Sequence, residues 1–258
     1  MILARTAGRT SLAAALMLAT LAARPVPRST PAPAGPRPLA AQAVLAKYAR
    51  ALHAVERPSA ISYVYAVEQL GLRNMEQTHR VYRSGLNERD ETLIVDGYTL
   101  KRPSVRIIAN RTNRYDIAAV APKPSSYRFV YRGTVAHGGA YAYRFATAPF
   151  GGSAFAVTEI ELDGARFLPL VIRFKIAGGD ARGQGELAYE PNGRFWVVRD
   201  ARVSAHLKGG ATANEHIAWS EYSFPSGLPE STFEAPHQHA VEELVPASTP
   251  VPEAPPGP

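Results

Sequence analysis

The stretch YRFVYRGTVAHGGAYAYRFATAP, residues 127–149, decides the fold class. Aromatic residues recur at alternate positions on either side of a glycine-bearing turn. Tyr127, Phe129 and Tyr131 precede it, and Tyr141, Tyr143 and Phe145 follow it. Arg128, Arg132 and Arg144 take the opposite parity. A period of two marks a strand with one covered face. Two such runs around glycines predict a β-hairpin, aromatic on one side and arginine-bearing on the other.

The same short alternating runs extend in both directions. AISYVYAVEQL (60–70), MEQTHRVYRS (75–84), ETLIVD (91–96) and SVRIIAN (104–110) lie before the hairpin. FAVTEIEL (155–162), PLVIRFKI (169–176), GELAYE (185–190), RFWVVRDARVSAHL (194–207) and NEHIAWSEYSF (214–224) follow it. Turn residues separate them at hairpin-like intervals, as in Asp163-Gly164, Pro191-Asn192-Gly193 and Lys208-Gly209-Gly210. Long helical patterns are missing between the runs, which argues against βαβ units and a parallel sheet. The expected fold is mainly β: one strongly curved antiparallel sheet of about eleven strands with a helix packed on it.

That helix is read in AQAVLAKYARALHAVERP, from residue 41, where Val44, Leu45, Tyr48, Leu52 and Val55 recur at helical spacing and Pro58 is expected to end it. An amphipathic helix of this length is marginal alone, so its apolar stripe needs a partner surface. Upstream, Arg5 and Arg9 precede the apolar run SLAAALMLATLAA (11–23), which has signal-peptide length and is too short to span a bilayer. The alternative, a retained anchor, is opposed by that run length. Residues 24–41 are rich in Pro and Ala and read as a linker or discarded spacer, with Ala23 or AQA (41–43) as cleavage sites. The tail 234–258 is Pro- and Glu-rich without a hydrophobic period and is expected to be disordered.

Composition excludes several classes. The 258 residues are 46% hydrophobic, a globular proportion. Net charge is +7, and residues 1–41 carry five arginines and no acid. The remaining surface is mildly basic, suited to anionic lipid headgroups and too diffuse for nucleic acid. Cysteine is absent, so there is no disulfide framework, no thiolate nucleophile and no lipidation site after the signal.

Catalytic and metal patterns fare no better. His237 and His239, near Glu242 and Glu243, lie in the proline-rich tail and set no coordination geometry. Ser153 lacks the Gly-x-Ser-x-Gly spacing, so a glycine turn is the plainer reading. Asp90 and Glu91 are strand neighbours and point to opposite faces. Lys101, Arg102, Arg106, Arg111 and Arg114 form the densest basic group, read as a solvated edge and turn or as a contact for headgroups or an acidic partner. No constellation supports an enzyme, and no cofactor or metal is expected.

The aromatic faces are the informative feature. Besides the hairpin, Ile61, Tyr63, Tyr65 and Val67 share a face, as do Leu170, Ile172, Phe174 and Ile176, and Ile217 with Trp219. Two readings stay open: these side chains fill the core of a small barrel, or they line a cavity that a wide sheet cannot fill alone.

Over roughly residues 42–233 the order and spacing resemble the LolA/LolB-like superfamily of periplasmic lipoprotein carriers and lipid-binding proteins. The hairpin 127–149 is similar to the family's Y-x-V-x-x-x-G … G-x-x-x-Y-x-L-x-x-x-P pattern. TEIELDGARFLPLVIRF (158–174) is similar to its strand, Asp turn, Leu-Pro and returning strand, and YSFPSGLPESTFEAP (222–236) to its closing phrase. The resemblance implies an unclosed half-barrel whose concave face is lidded by helices around an acyl-chain cavity. The carriers insert more lid material between strands; here YDIAAVAPKPSS (115–126) is the candidate lid loop. Their functional arginine is matched to no position by motif, Arg83 being the position set against it.

On this reading Tyr63, Tyr65, Tyr127, Phe129, Tyr131, Tyr141, Tyr143, Phe145, Ile172, Phe174 and Trp219 line the cavity, and Leu45, Tyr48 and Leu52 belong to the lid helix. The implied function is a periplasmic or secreted carrier or binding protein for lipid, lipoprotein acyl chains or another amphiphile, as in outer-membrane lipoprotein sorting. Its partners would be a lipid or acylated protein, with transient contact to a membrane or membrane proteins, and the chain would be a monomer. The alternative is a sensor or protein-interaction domain on the same fold, without transport activity.

Overall fold

Every strand among the described residues belongs to one antiparallel sheet in the computed structural model, which describes residues 39–71, 74–111, 113–137, 140–179 and 181–234. The signal-like segment 1–23, most of the spacer and the tail from 235, with its two histidines, lie outside the described residues.

Strands β1 (Ala60–Leu70), β2 (Met75–Ser84), β3 (Asn87–Val95) and β4 (Tyr98–Ile108) meander outward to one sheet edge. The chain then crosses to the other edge through residues 109–126, which contain the short helix α2 (Ile117–Val120). From there β5 (Tyr127–His137), β6 (Ala140–Pro149), β7 (Phe155–Asp163), β8 (Pro169–Gly178), β9 (Ala181–Asn192), β10 (Phe195–Leu207) and β11 (Thr212–Ser223) meander back until β11 pairs with β1. The eleven strands leave β4 and β5 as free edges, so the sheet is an unclosed half-barrel.

The curvature has identifiable sources. Six of the ten strand pairings carry a register shift, among them Ser62/Val64, Tyr131/Gly133 and Val198/Asp200. Each inserted residue bends its strand and adds to the right-handed twist. At the β5 bulge Gly133 holds φ at +107°, a backbone that a Cβ would strain.

Helix α1 (Ala41–His53) packs on the concave face through Val44, Tyr48 and Leu52, all buried among Phe145, Ile160 and Ile172. It ends earlier than Pro58 implied. Ala54 caps it by donating its N–H to the Arg50 carbonyl at 3.0 Å, and Val55 packs on the core from the connecting segment instead of from the helix. Along that segment Arg57 reaches across to Asp116 of the crossover, 2.9 Å away.

On the opposite, convex face the arginines are paired across strands. Arg144 meets Glu159 at 3.1 Å; Arg173 bonds Glu161 at 2.9 Å, Glu186 at 2.8 Å and also Glu159. Farther along, Asp200 takes Arg202 at 3.1 Å and His216 at 2.6 Å. Alternating charge across neighbouring strands keeps this face wet and holds the register. Of the basic group near β4, Lys101, Arg102 and Arg114 are exposed, whereas Arg106 and Arg111 pair with Asp90 and Glu88.

Candidate ligand cavity

Because β4 and β5 lie at opposite edges, the crossover 109–126 must pass over the open face of the half-barrel. It does so beside α1. Tyr48 donates its hydroxyl to the Pro122 carbonyl at 2.7 Å, Tyr189 donates to the Tyr115 carbonyl at 3.1 Å, and the Asp116 side chain accepts from the Ala118 N–H at 2.9 Å to start α2. Between the segment that follows α1 (residues 55–59), this crossover and the sheet lies a cavity of about 540 Å³. That size lies within the roughly 300–1,000 Å³ typical of small-molecule sites.

The walls are mostly apolar and aromatic. Ile61 and Tyr63 come from β1, Phe195 to Val198 from β10, Trp219 and Tyr222 from β11, and Tyr115, Ile117 and Ala119 from the crossover. Ring contacts stiffen them: Tyr115 meets Trp219 edge-on at 4.8 Å, Tyr63 meets Tyr222 at 5.6 Å, and Phe195 meets Phe224 at 4.5 Å. Tyr222 donates to the Val198 carbonyl at 2.5 Å. Burial pushes the Tyr63 and Tyr222 hydroxyls well above the usual phenol range, so they stay neutral.

One side of the cavity is charged. Arg83 of β2 donates to Glu88 at 2.7 Å, and Arg111 of the crossover approaches the other oxygen of Glu88 at 3.4 Å. Arg83 is 8% exposed, and its Nε has no hydrogen-bond partner. Next to this group His79 and Asp90 meet at 2.8 Å, Arg106 reaches Asp90 at 2.9 Å, and Tyr65 stacks on His79 at 4.6 Å with its hydroxyl 3.3 Å from Asp90. Burial alone would raise the Asp90 carboxyl, but the hydrogen bonds and charges of His79 and Arg106 outweigh it and hold the group below the usual range.

The sequence-predicted residues divide between three environments. Tyr63 and Trp219 line the cavity. Tyr65 lies on the same face but belongs to the polar network, and Ile172 and Phe174 are buried in the core, with the Phe174 ring over Gly185. The six hairpin aromatics face the concave side beneath α1. Tyr143 and Phe145 have no exposed surface, Tyr127, Phe129 and Tyr141 are half-buried, and Tyr131 is 37% exposed beside the bulge. Tyr48 covers Phe129 at 6.0 Å, so α1 occupies the part of the concave face that this hairpin lines. Of the residues expected in a lid helix, Tyr48 and Leu52 are buried and Leu45 is half-buried.

Sequence alone did not bring out Trp196, Tyr222 and Glu88 as residues of this region, nor that Arg83 and Arg111, each singled out on other grounds, meet at Glu88. A usable signal was present: in β2 and β3 the hairpin register sets Arg83 opposite Glu88 and Val81 opposite Asp90, so complementary charges share the face of Tyr63. A separate furrow of about 660 Å³ runs along the convex face, but its polar wall is the paired charges Arg173, Glu186, Arg202 and His216. Among the described residues no group of three or more His, Cys, Asp or Glu side chains is placed to hold a metal. No described helix is long and apolar enough to cross a membrane.

No family model matches the sequence, and no curated protein does. Solved structures do match. A LolA superfamily protein from Nitrosomonas europaea is 12% identical, with 76% of this chain and 98% of that chain covered and a TM-score of 0.41. A DUF1329 family protein from Desulfovibrio piger is 13% identical, covering 75% and 96%, with a TM-score of 0.42. The MucA/MucB complex of Pseudomonas aeruginosa gives 15% identity, 68% and 92% coverage and a TM-score of 0.22. At such values the likeness bears on neither ligand nor activity. The chain is thus similar to solved LolA superfamily proteins, as its sequence resembles that superfamily, and the half-barrel itself rests on its own eleven-strand topology.

Proposed function

We propose that the protein binds or carries a lipid or other amphiphile, holding its acyl chain in the cavity between the segment after α1, the crossover and the concave sheet. One observation carries this reading: a partly open space of about 540 Å³ whose uncharged walls are built from Ile61, Trp196, Val198, Trp219 and other apolar side chains. Water gains few hydrogen bonds there, whereas hydrocarbon gains about 0.8 kcal/mol per buried methylene. Helix α1 and the crossover act as the lid. The signal-like N-terminus supports a site of action in the periplasm or outside the cell, and the apolar cavity supports a lipid or acylated protein as partner.

Gentle purification followed by organic extraction and mass spectrometry tests the reading. Stoichiometric acyl species are expected; their absence from the purified protein, together with no uptake of added acyl probes, would sink it. The second reading, an interaction domain without transport, is favoured by the two free sheet edges, where Tyr98 of β4 is 78% exposed. It predicts an empty cavity on the same extraction.

A further inference from the structure

The charges around the cavity do not balance. Arg57 is matched by Asp116 at 2.9 Å, and Glu56 by Arg194 at 3.3 Å. Asp90 is already taken by His79 and Arg106. Arg83 and Arg111, in contrast, share the single carboxylate of Glu88 at 2.7 and 3.4 Å. Two guanidinium groups against one carboxylate leave a surplus positive charge in the cavity wall. Arg83 is almost fully buried, and one of its donors is unpaired. A buried charge without full compensation is costly, and an anion brought beside it recovers that cost through charge-assisted hydrogen bonds.

We propose that the ligand is a single-chain anionic amphiphile whose carboxylate or phosphate head is taken by Arg83 and Arg111, with its chain running against Ile61, Val198 and Trp219. The head sits toward the mouth, where Arg111 is partly exposed, and Arg83 forms the buried side of its seat. Size agrees with one chain: at roughly 30 Å³ per water-sized group, 540 Å³ holds on the order of eighteen such groups. This inference rests on the reading of the cavity as an acyl-chain site.

The test titrates the delipidated full chain with decanoate, decyl phosphate, decanol and decyltrimethylammonium, each below its micelle concentration. Both anions should bind about tenfold or more tightly than decanol, the size expected for one charge-assisted hydrogen bond, and the cation should bind weakest. Whichever anion binds tighter identifies carboxylate or phosphate as the head. Arg111→Gln should erase most of the anion preference while leaving decanol unchanged. Arg83→Gln disturbs the β2–β3 pairing as well, so Glu88→Gln is the decisive variant. Removing the competing carboxylate should strengthen anion binding several-fold even as the protein itself becomes less stable. Equal affinity for all four ligands, or weaker anion binding in Glu88→Gln, would overturn the headgroup site while leaving the acyl cavity standing. Binding of none of the four would overturn the cavity reading and this inference with it.

Discussion

Tyr48, in the middle of α1, donates its hydroxyl to the carbonyl of Pro122 in the crossover at 2.7 Å, joining helix to crossover. Its ring has no exposed surface and lies 6.0 Å from Phe129. Helix, crossover and edge strand therefore meet at one side chain. Burial pushes its hydroxyl far above the usual phenol range, so the bond persists across physiological pH.

Tyr48→Phe keeps the ring and removes the donor. Stability to urea should fall by about 1 kcal/mol, because the Pro122 carbonyl loses its partner. Tyr48→Ala also empties the space beneath α1 and should cost about 3–5 kcal/mol, as for other large aromatic truncations. Equal small losses in both variants would show that α1 is not anchored here.

Asp90 sets the acid limit of the β1–β4 wing. Its carboxyl is held below the unfolded value by His79 and Arg106, so the stabilisation is fully present above the unfolded pKa of about 3.9. It is lost as pH falls through the lower folded pKa. Asp90→Asn should be less stable than the parent at pH 7, and the difference should shrink progressively below about pH 4. A pH-independent difference between the two melting curves would contradict the assignment.

Gly185 in β9 leaves room for the Phe174 ring. An added Cβ would lie 2.4 Å from the ring edge and 2.6 Å from the Arg202 carbonyl oxygen. Gly185→Ala should destabilise by about 1–3 kcal/mol through overpacking. Adding Phe174→Ala should not restore stability, since the backbone collision with Arg202 remains. Full rescue in the double variant would mean the ring alone sets the limit.

Strand periodicity was legible wherever one face is covered and the other is wet. β1 and β2 begin and end where their alternation does. The start of β4 was not, because Tyr98, Lys101, Arg102 and Pro103 lie on an exposed edge where neither face imposes a pattern. The end of α1 differs from the expectation because Ala54, Val55 and Glu56 suit a helix locally, whereas the packing of Val55 on the core belongs to tertiary structure. Hydrophobicity pointed to the hairpin aromatics as the inner face. What it could not convey is that α1 fills the space over them, leaving the cavity beside β1, β10 and β11. The inward Arg83 runs against the usual inside–outside sorting and becomes intelligible only through its cross-strand partner Glu88.

The central claim is that hydrocarbon enters the cavity, and the chain carries its own reporter. Its two tryptophans, Trp196 and Trp219, both line that space. Titration with a fatty acid brominated along its chain should quench their fluorescence saturably, at one ligand per protein, and an unlabelled fatty acid should compete the quenching away. Val198→Trp, with its own fluorescence taken as baseline, should reduce the quenching by filling the cavity, whereas Arg144→Ala on the convex face should leave it intact. Saturable, competable quenching is the result this account predicts; quenching that is absent, or that rises linearly without competition, would contradict it.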